Sequence, residues 1–474
     1  MEEILSVGID IGTSTTQVIF SRLALENEAS YFSVPQIQIV RKTVVYKGAV
    51  HRTPLLDHYR LDGDQIRRLV EGEFQTAGVQ PSQVQTGAVI ITGESARKEN
   101  SALVLEKLSQ LAGDFVVSTA GPDLEAILAG KGSGAYAYAQ KNQSWTVNLD
   151  IGGGTSNIVL FGPDGSVQGK GCVDIGGRQI QVDSSGLVHT CGRSAQAVAA
   201  SLGLSLVPGE RTSQEALSAI CRRMAQLLLE LVEGGTSPLL EQVRTPGSSP
   251  YCPPGPPQAI FFSGGVADCI RQEAADWSAY GDIGVLLGRS IREEAGFGRY
   301  SIIPGEETIR ATVVGAGSYT TSVSGSTIAY SPGVLPQKNL PVLKLTQAEQ
   351  EACFQGSSVG LQERVRWFFQ QQDTDRMLLA MPGKRDPGYE ELQRLAAAVA
   401  EMAQTCLPPD APVFVAVECD MAKALGQVLG RRLSGRPLVS IDSVHLEENE
   451  YLDMGRPVLD GLAIPVVVKT LIFG

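Results

Sequence analysis

A chain of 474 residues, 43% hydrophobic and 19% charged, is long enough to form two or three packed domains. A net charge of −12, with no clustered basic segment, argues against nucleic acid or an anionic membrane as a partner. The eight cysteines are scattered without C-x-x-C spacing, which leaves a zinc site or a redox pair unsupported and suits free thiols in a reducing cytosol.

Glu2 and Glu3 lead straight into an apolar run. With no basic n-region and no apolar h-region, no secretory signal is expected and the protein is read as cytoplasmic. Residues 4–20 predict a hairpin. Val7-Gly8-Ile9-Asp10-Ile11 runs into Gly12-Thr13-Ser14-Thr15-Thr16, and a second strand starts at Gln17. Residues 36–50 read as a strand and Leu61 to Ala77 as a helix with Ile66, Leu69, Val70 and Phe74 on one face. Ala88 to Gly93 reads as a buried strand. Ser101 to Leu111 reads as a helix with Leu105, Leu108 and Leu111 inward, and Phe115 to Ser118 as a strand. In the helix that follows, Pro122 suits the first turn, and Asp123 and Glu125 suit the positive end of its dipole. Its small residues, Ala126, Ala129, Gly130 and Gly132, allow a close helix crossing.

The hairpin then recurs. Val147-Asn148-Leu149-Asp150-Ile151 runs into Gly152-Gly153-Gly154-Thr155-Ser156-Asn157, 140 residues after the first copy (150 − 10). Each tip offers bare N–H and hydroxyl groups to an anion such as phosphate. These come from Gly12, Thr13, Ser14 and Thr15 in one copy and Gly152, Gly153, Gly154, Thr155 and Ser156 in the other. Asp10 and Asp150 can each be a turn-forming aspartate or a ligand of Mg²⁺, directly or through water. The matched flanks favour the metal role, with the two tips facing each other across a cleft.

Gly176-Gly177 follow another strand, and Ser213 to Leu231 forms an amphipathic helix. Pro246 to Pro257 cannot be regular structure and reads as a mobile or poly-proline-like surface loop. Ala259 to Phe262 is a buried strand ending in Ser263-Gly264-Gly265, where a ribose or ring could approach the backbone. A glycine-rich helix carries Gly315 and Gly317. Pro332, Pro336 and Pro341 mark a linker. Beyond it come helices at Gln362–Gln372 and Tyr389–Gln404, then strand–helix–strand at Val413–Val417, Met421–Leu433 and Leu438–Ile441. Leu462 to Phe473 is too short to span a bilayer and reads as a buried strand. Asp183, Asp268 and Asp282 read as exposed loop carboxylates or as acids behind the metal ligands. His51, His58, His189 and His445 show no ligand spacing.

Taken in order, the two hairpins, the helix after the first, the Ser-Gly-Gly strand end and the Gly315 helix resemble five segments of the actin-like ATPase superfamily. These are its phosphate-1, phosphate-2, first connection, adenosine and second connection segments. Heat-shock chaperone ATPase domains and hexokinases share them. The resemblance covers residues 4–320. It implies an α/β fold of two lobes with central mixed sheets around a nucleotide cleft that closes on Mg²⁺-ATP. It also implies nucleotide contacts from Ser263, Gly264, Gly265 and Gly315. Chaperones carry a glutamate before the proline of the first connection. Here Gly121 stands there, and the nearest acid, Glu125, is either a catalytic carboxylate or simply a first-turn helix acid.

A closer resemblance, nearly full-length, is to the ethanolamine ammonia-lyase reactivating factors of bacterial ethanolamine utilisation. It rests on Gly281-Asp282-Ile283-Gly284, Leu287-Gly288-Arg289, Asn339-Leu340-Pro341-Val342 and the added C-terminal α/β unit. It implies lobes at 1–134 and 135–330 and a C-terminal region at 331–474. It also implies a slow Mg²⁺-dependent ATPase, chaperone-like, whose client is ethanolamine ammonia-lyase. Damaged cobalamin would leave the client so that adenosylcobalamin can enter, and no cobalamin motif of the D-x-H-x-x-G type occurs in this chain. A homodimer and association with a bacterial microcompartment stay open. A small-molecule kinase or a filament-forming ATPase of the same superfamily are the alternatives.

Overall fold

A computed structural model describes every residue except 1, 28–36, 58–59, 94, 96–97, 110–115, 120, 273, 275, 320, 326, 373, 434, 449 and 471–474. Leu111, Phe115 and His58 therefore lie outside the described residues.

Two sheets repeat one plan. In the first lobe, β1 (Glu2–Ile11) pairs antiparallel with β2 (Thr15–Asn27), which pairs antiparallel with β3 (Ile37–Lys47) and with the short β4 (His51–Arg52). On its other edge β1 pairs in parallel with β5 (Thr86–Ile91), and β5 with β6 (Val116–Thr119). Helix α1 (Gly63–Ala77) starts two residues later than the periodicity suggests because Asp62 caps it, accepting from the Gln65 N–H at 2.9 Å. With α2 (Ser101–Ser109) it buries Ile66, Val70, Phe74, Val104 and Leu108 against Val7, Ile9, Phe20 and Val89.

Helices α3 (Pro122–Gly132) and α4 (Ala135–Asn142) come next. Strands β7 (Thr146–Ile151), β8 (Ser156–Phe161) and β9 (Val167–Val173) follow as an antiparallel meander. After the hairpin β10 (Ile180–Val182) and β11 (Val188–Cys191) come α5 (Arg193–Ser201), α6 (Gln214–Val232) and α7 (Pro238–Gln242). Strand β12 (Ala259–Ser263) pairs in parallel with β7, then α8 (Gly265–Arg271) and α9 (Gly284–Glu293) lead to β13 (Ser301–Ile303), parallel to β12. The order β13-β12-β7-β8-β9 mirrors β6-β5-β1-β2-β3, so hydrophobic sequence and pairing are duplicated together. This duplicated pair of mixed sheets is the plan that the sequence resemblance led to expect. The apolar stripe of α6, with Leu217, Ile220, Met224 and Leu228, packs on Leu149, Ile151 and Leu160.

Two helices trade places between the lobes. Helix α3 lies on the second sheet through Ala126, beside Val159 and Phe161. Helix α10 (Ala311–Tyr319), which follows the second sheet, lies on the first through Val313 and Val314 against Ile19. They cross with no room for side chains. A Cβ on Gly132 would overlap the Ala311 carbonyl, and one on Gly315 the Leu128 carbonyl.

The C-terminal region is larger than the small α/β unit expected. One sheet joins β14 (Thr321–Val323), β15 (Ala329–Tyr330), β16 (Gln337–Lys344), β17 (Leu378–Met381), β18 (Val413–Val417), β19 (Leu438–Asp442), β20 (Glu450–Met454) and β21 (Pro465–Thr470), in the order β14-β21-β20-β16-β17-β18-β19-β15. Helices α11 (Gln347–Phe354), α12 (Val359–Gln372), α13 (Tyr389–Cys406) and α14 (Ala422–Arg432) cover one face. Of the stretch read as a proline linker, Pro332 and Pro336 are irregular, while Pro341 lies in the central strand β16. The β16–β20 register shifts between Gln337 and Leu340 and resumes with Pro341 opposite Tyr451, and Pro341 stands one residue before the parallel pairing with β17 begins at Val342. The β14–β21 end rests on the first lobe, with Val458, Ala463 and Val323 packed on Ile4, Leu23 and Leu25. Beside them the Leu459 N–H donates to Glu2 Oε2 at 2.5 Å.

The proline-rich loop at residues 246–257 is irregular, as its composition predicts, and it is anchored. Tyr251 is buried, and the Ser249 hydroxyl and N–H both donate to Asp123, at 2.5 and 3.1 Å. Among the described residues no helix is long and apolar enough to cross a membrane.

Candidate functional site

Both hairpins close in the same way. The Gly12 N–H donates to the Thr15 carbonyl and the Gly152 N–H to the Thr155 carbonyl, each at 2.9 Å. The tips converge on one cavity of about 350 Å³. Asp10, Gly12, Thr13, Ser14, Thr15, Glu125, Asp150, Gly152, Gly153, Gly154, Thr155, Gly264 and Gly265 all line it. The tips nearly touch. A Cβ on Gly153 would collide with Ser14 Oγ, and one on Gly93 would lie 2.5 Å from Thr13 Oγ1 and 4.0 Å from Thr155 Oγ1. Ser14 Oγ is buried and has no hydrogen-bond partner.

Three nominated residues stand behind the wall and do not line it. Ser156 is fully buried, and its hydroxyl donates to the Ile175 carbonyl at 2.7 Å. Ser263 donates to Asp150 Oδ1 at 2.5 Å while accepting from Asn148 Nδ2 at 3.0 Å, so it orients the carboxylate. Gly315 belongs to the helix crossing. Gly264, at φ 84°, lies against the Ile151 carbonyl, where any side chain would collide.

Sequence reasoning missed several lining residues: Gln17, Arg52, Thr92, Gly93 and Arg178. Thr92 Oγ1 donates to Asp10 Oδ1 at 2.8 Å, the counterpart of Ser263 and Asp150 in the other lobe. The repeat carried a signal for it, since Ile91-Thr92-Gly93 and Phe262-Ser263-Gly264 both place a hydroxyl and a glycine at the end of an apolar strand. Asp282 is buried in the cavity wall, not exposed on a loop, and its Oδ1 accepts at 2.8 Å from the N–H of Gly284, the first residue of α9. Cys269 also lines the wall, and burial raises its thiol to about 11, so it is not a thiolate at neutral pH. Cys191 behaves alike. His51, His189 and His445 pair with Glu73, Asp183 and Glu418.

The carboxylates set the electrostatics. Asp10 is raised to about 7, first by burial and then by the charge of Asp150, against the opposing hydrogen bond from Thr92. Glu125 is raised to about 8 by burial, then by Asp150 and Asp10, and is held partly down by the Gly93 N–H at 3.1 Å and by Asn157. Asp150 is raised to about 6 by burial, against Ser263. Three buried acids that repel one another fit a bound cation. Among the described residues no group of three or more His, Cys, Asp or Glu side chains is placed to hold a metal ion by itself. A hard cation held by one or two carboxylates, with other ligands from phosphate and water, matches that arrangement.

The same shifts predict a pH dependence. Each folded pKa exceeds its unfolded value, 3.8 for Asp and 4.5 for Glu, so the folded state binds the extra protons. The stability these groups contribute is complete below about pH 4 and is lost as pH rises through about 6 to 8. The melting temperature of the ligand-free protein is expected to fall across that window. The double variant Asp10→Asn, Glu125→Gln should flatten the fall, which melting curves at stepped pH would read out.

The family model for ethanolamine utilisation protein EutA matches residues 2–474. The chain is 37% identical to the ethanolamine ammonia-lyase reactivase EutA of Salmonella typhimurium and 35% identical to that of Escherichia coli, over 99% of this chain and of each relative. Among solved structures it is similar to the PPX-GPPA enzyme of Aquifex aeolicus at 16% identity and TM-score 0.36, covering 67% of this chain and 90% of that one. With a full-length family match and two full-length relatives, the chain belongs to the ethanolamine utilisation protein EutA family.

Proposed function

We propose that this protein is an ATP-driven reactivase of ethanolamine ammonia-lyase, using nucleotide-dependent lobe closure to loosen the lyase so that damaged cobalamin exits and adenosylcobalamin enters. The carrying observation is the full-length likeness to two reactivases, in a chain whose twin hairpins meet at one acid-lined cavity. The N–H groups and hydroxyls of residues 12–15 and 152–155 would hold the phosphates. Asp10 and Asp150 would hold Mg²⁺, which when bound supplies positive charge against the charge building on the transferring phosphoryl group. Glu125 sits one turn into α3, oriented by the Gly93 N–H, and would take the proton of the attacking water. Closing would bring the lobes together about the α3–α10 crossing, and the difference in client affinity between open and closed forms would perform the task.

The test mixes the protein, ATP, Mg²⁺ and lyase carrying inactive cobalamin, then adds adenosylcobalamin. Deamination should recover, and Glu125→Gln should retain ATP binding while cutting turnover by roughly 10²–10⁴-fold. No recovery above a nucleotide-free control would overturn the assignment. Unchanged turnover in Glu125→Gln would remove that residue from the chemistry.

A further inference from the structure

Where β9 turns toward β10, the backbone is bonded onto the second hairpin. The Gly177 N–H donates to the Gly152 carbonyl at 3.0 Å and the Arg178 N–H to the Gly153 carbonyl at 2.7 Å. One residue on, Gln179 Nε2 donates to the Gly154 carbonyl at 2.6 Å. Gly176 presses on the Gly153 carbonyl so tightly that no Cβ would fit. Arg178 is thus fixed in register with the hairpin tip. Its stem lies over Gly153, with Cδ and Cγ 3.3 and 3.4 Å from the point where a Cβ would be, the same point that Ser14 Oγ crowds from the first lobe. The stem therefore occupies the seam between the two tips.

Arg178 is half-buried and lines the cavity, yet among the described residues its guanidinium makes no hydrogen bond or ion pair. The nearby acid Asp282 feels its charge but is committed to the Gly284 N–H. A guanidinium left unpaired beside buried carboxylates is unusual, because arginine seeks a planar oxyanion with which to form paired hydrogen bonds. Across the seam, Ser14 Oγ is likewise buried and unpartnered. Two donors without acceptors, one from each lobe, face the same gap.

We propose that Arg178 grips the terminal phosphate of ATP from the second lobe, opposite Ser14 of the first, and so couples phosphate transfer to lobe closure. This rests on the nucleotide reading above. In the step it assists, the water oxygen bonds to the terminal phosphorus as the bond from phosphorus to the bridging oxygen breaks. ADP departs with that electron pair, and the water's proton passes to Glu125. Arg178 neutralises charge on the transferring group, and it loses its ligand when only ADP is present. ADP therefore leaves the two lobes unbridged at this seam.

Arg178→Gln and Arg178→Lys separate this role from a structural one, with the full chain, Mg²⁺, ATP and ADP as probes. Thermal melting should be unchanged, since the guanidinium bonds to nothing in the protein. In Arg178→Gln, kcat for ATP hydrolysis should fall by roughly 10²–10³-fold and the preference for ATP over ADP should vanish, with ADP affinity kept. Arg178→Lys should recover part of the ATP preference. Unchanged kcat, or equal losses of ATP and ADP affinity, would overturn the proposal while leaving the nucleotide reading intact. Failure of the unsubstituted protein to bind ATP at all would overturn both.

Discussion

Asp150→Asn is expected to abolish Mg²⁺-dependent ATP turnover and, in the same variant, to raise the melting temperature of the ligand-free protein. The two effects have one cause. Asp150 is 4% exposed, and its charge also raises Asp10 and Glu125. Without a cation that charge is a burden on the fold, so an amide that can still accept from Ser263 relieves it. With the proposed cation, the charge is what holds the metal beside the phosphates. Losing about 4 kcal/mol of transition-state stabilisation is roughly a thousandfold in rate. Asp10→Asn should behave alike, because Thr92 supports Asp10 as Ser263 supports Asp150. Turnover and melting measured side by side decide the matter. Normal turnover would take the residue out of the site, and lost turnover with lowered melting would mean the fold was damaged instead.

Gly315→Ala is expected to destabilise the protein, against what helix propensity predicts. In an exposed helix interior the exchange gains about 1 kcal/mol. Here the added methyl would overlap the Leu128 backbone, which cannot swing aside as a flexible side chain could. Overpacking of this kind costs about 1–3 kcal/mol or more. Gly132→Ala meets the Ala311 carbonyl and should act in the same direction. Because the crossing joins the lobes, each variant should also lose part of the melting shift expected on adding ATP under the proposed function. Higher melting in Gly315→Ala would show that propensity outweighs packing at this crossing.

The duplicated hairpins were legible because a backbone that approaches an anion needs glycine and small hydroxyl residues, and few other sequences serve. The crossing helices were legible for a similar reason, although Gly315 was read as a ligand contact when its smallness serves a neighbouring helix. What stayed hidden depends on distant pairing. The short strands β14 and β15 carry too few residues for a periodic signal, and their partners lie more than a hundred positions away in β21 and β19. Pro341 argued against a central strand because nothing local shows that the parallel pairing with β17 begins only at the next residue. Asp282 is buried at the head of α9, and Arg178 gains its position from backbone bonds to a hairpin more than twenty residues earlier.

The docking of the C-terminal sheet on Ile4, Leu23 and Leu25 ties one end of that sheet to the first lobe, so it would travel with that lobe under the proposed closure. Helix α10, at the pivot, leads almost directly into its first strand. Eight strands at about 4.8 Å spacing extend roughly 34 Å if laid flat. Under the proposed closure, any rotation at the α3–α10 crossing would displace the far strand β15 more than β14, which rests on the first lobe.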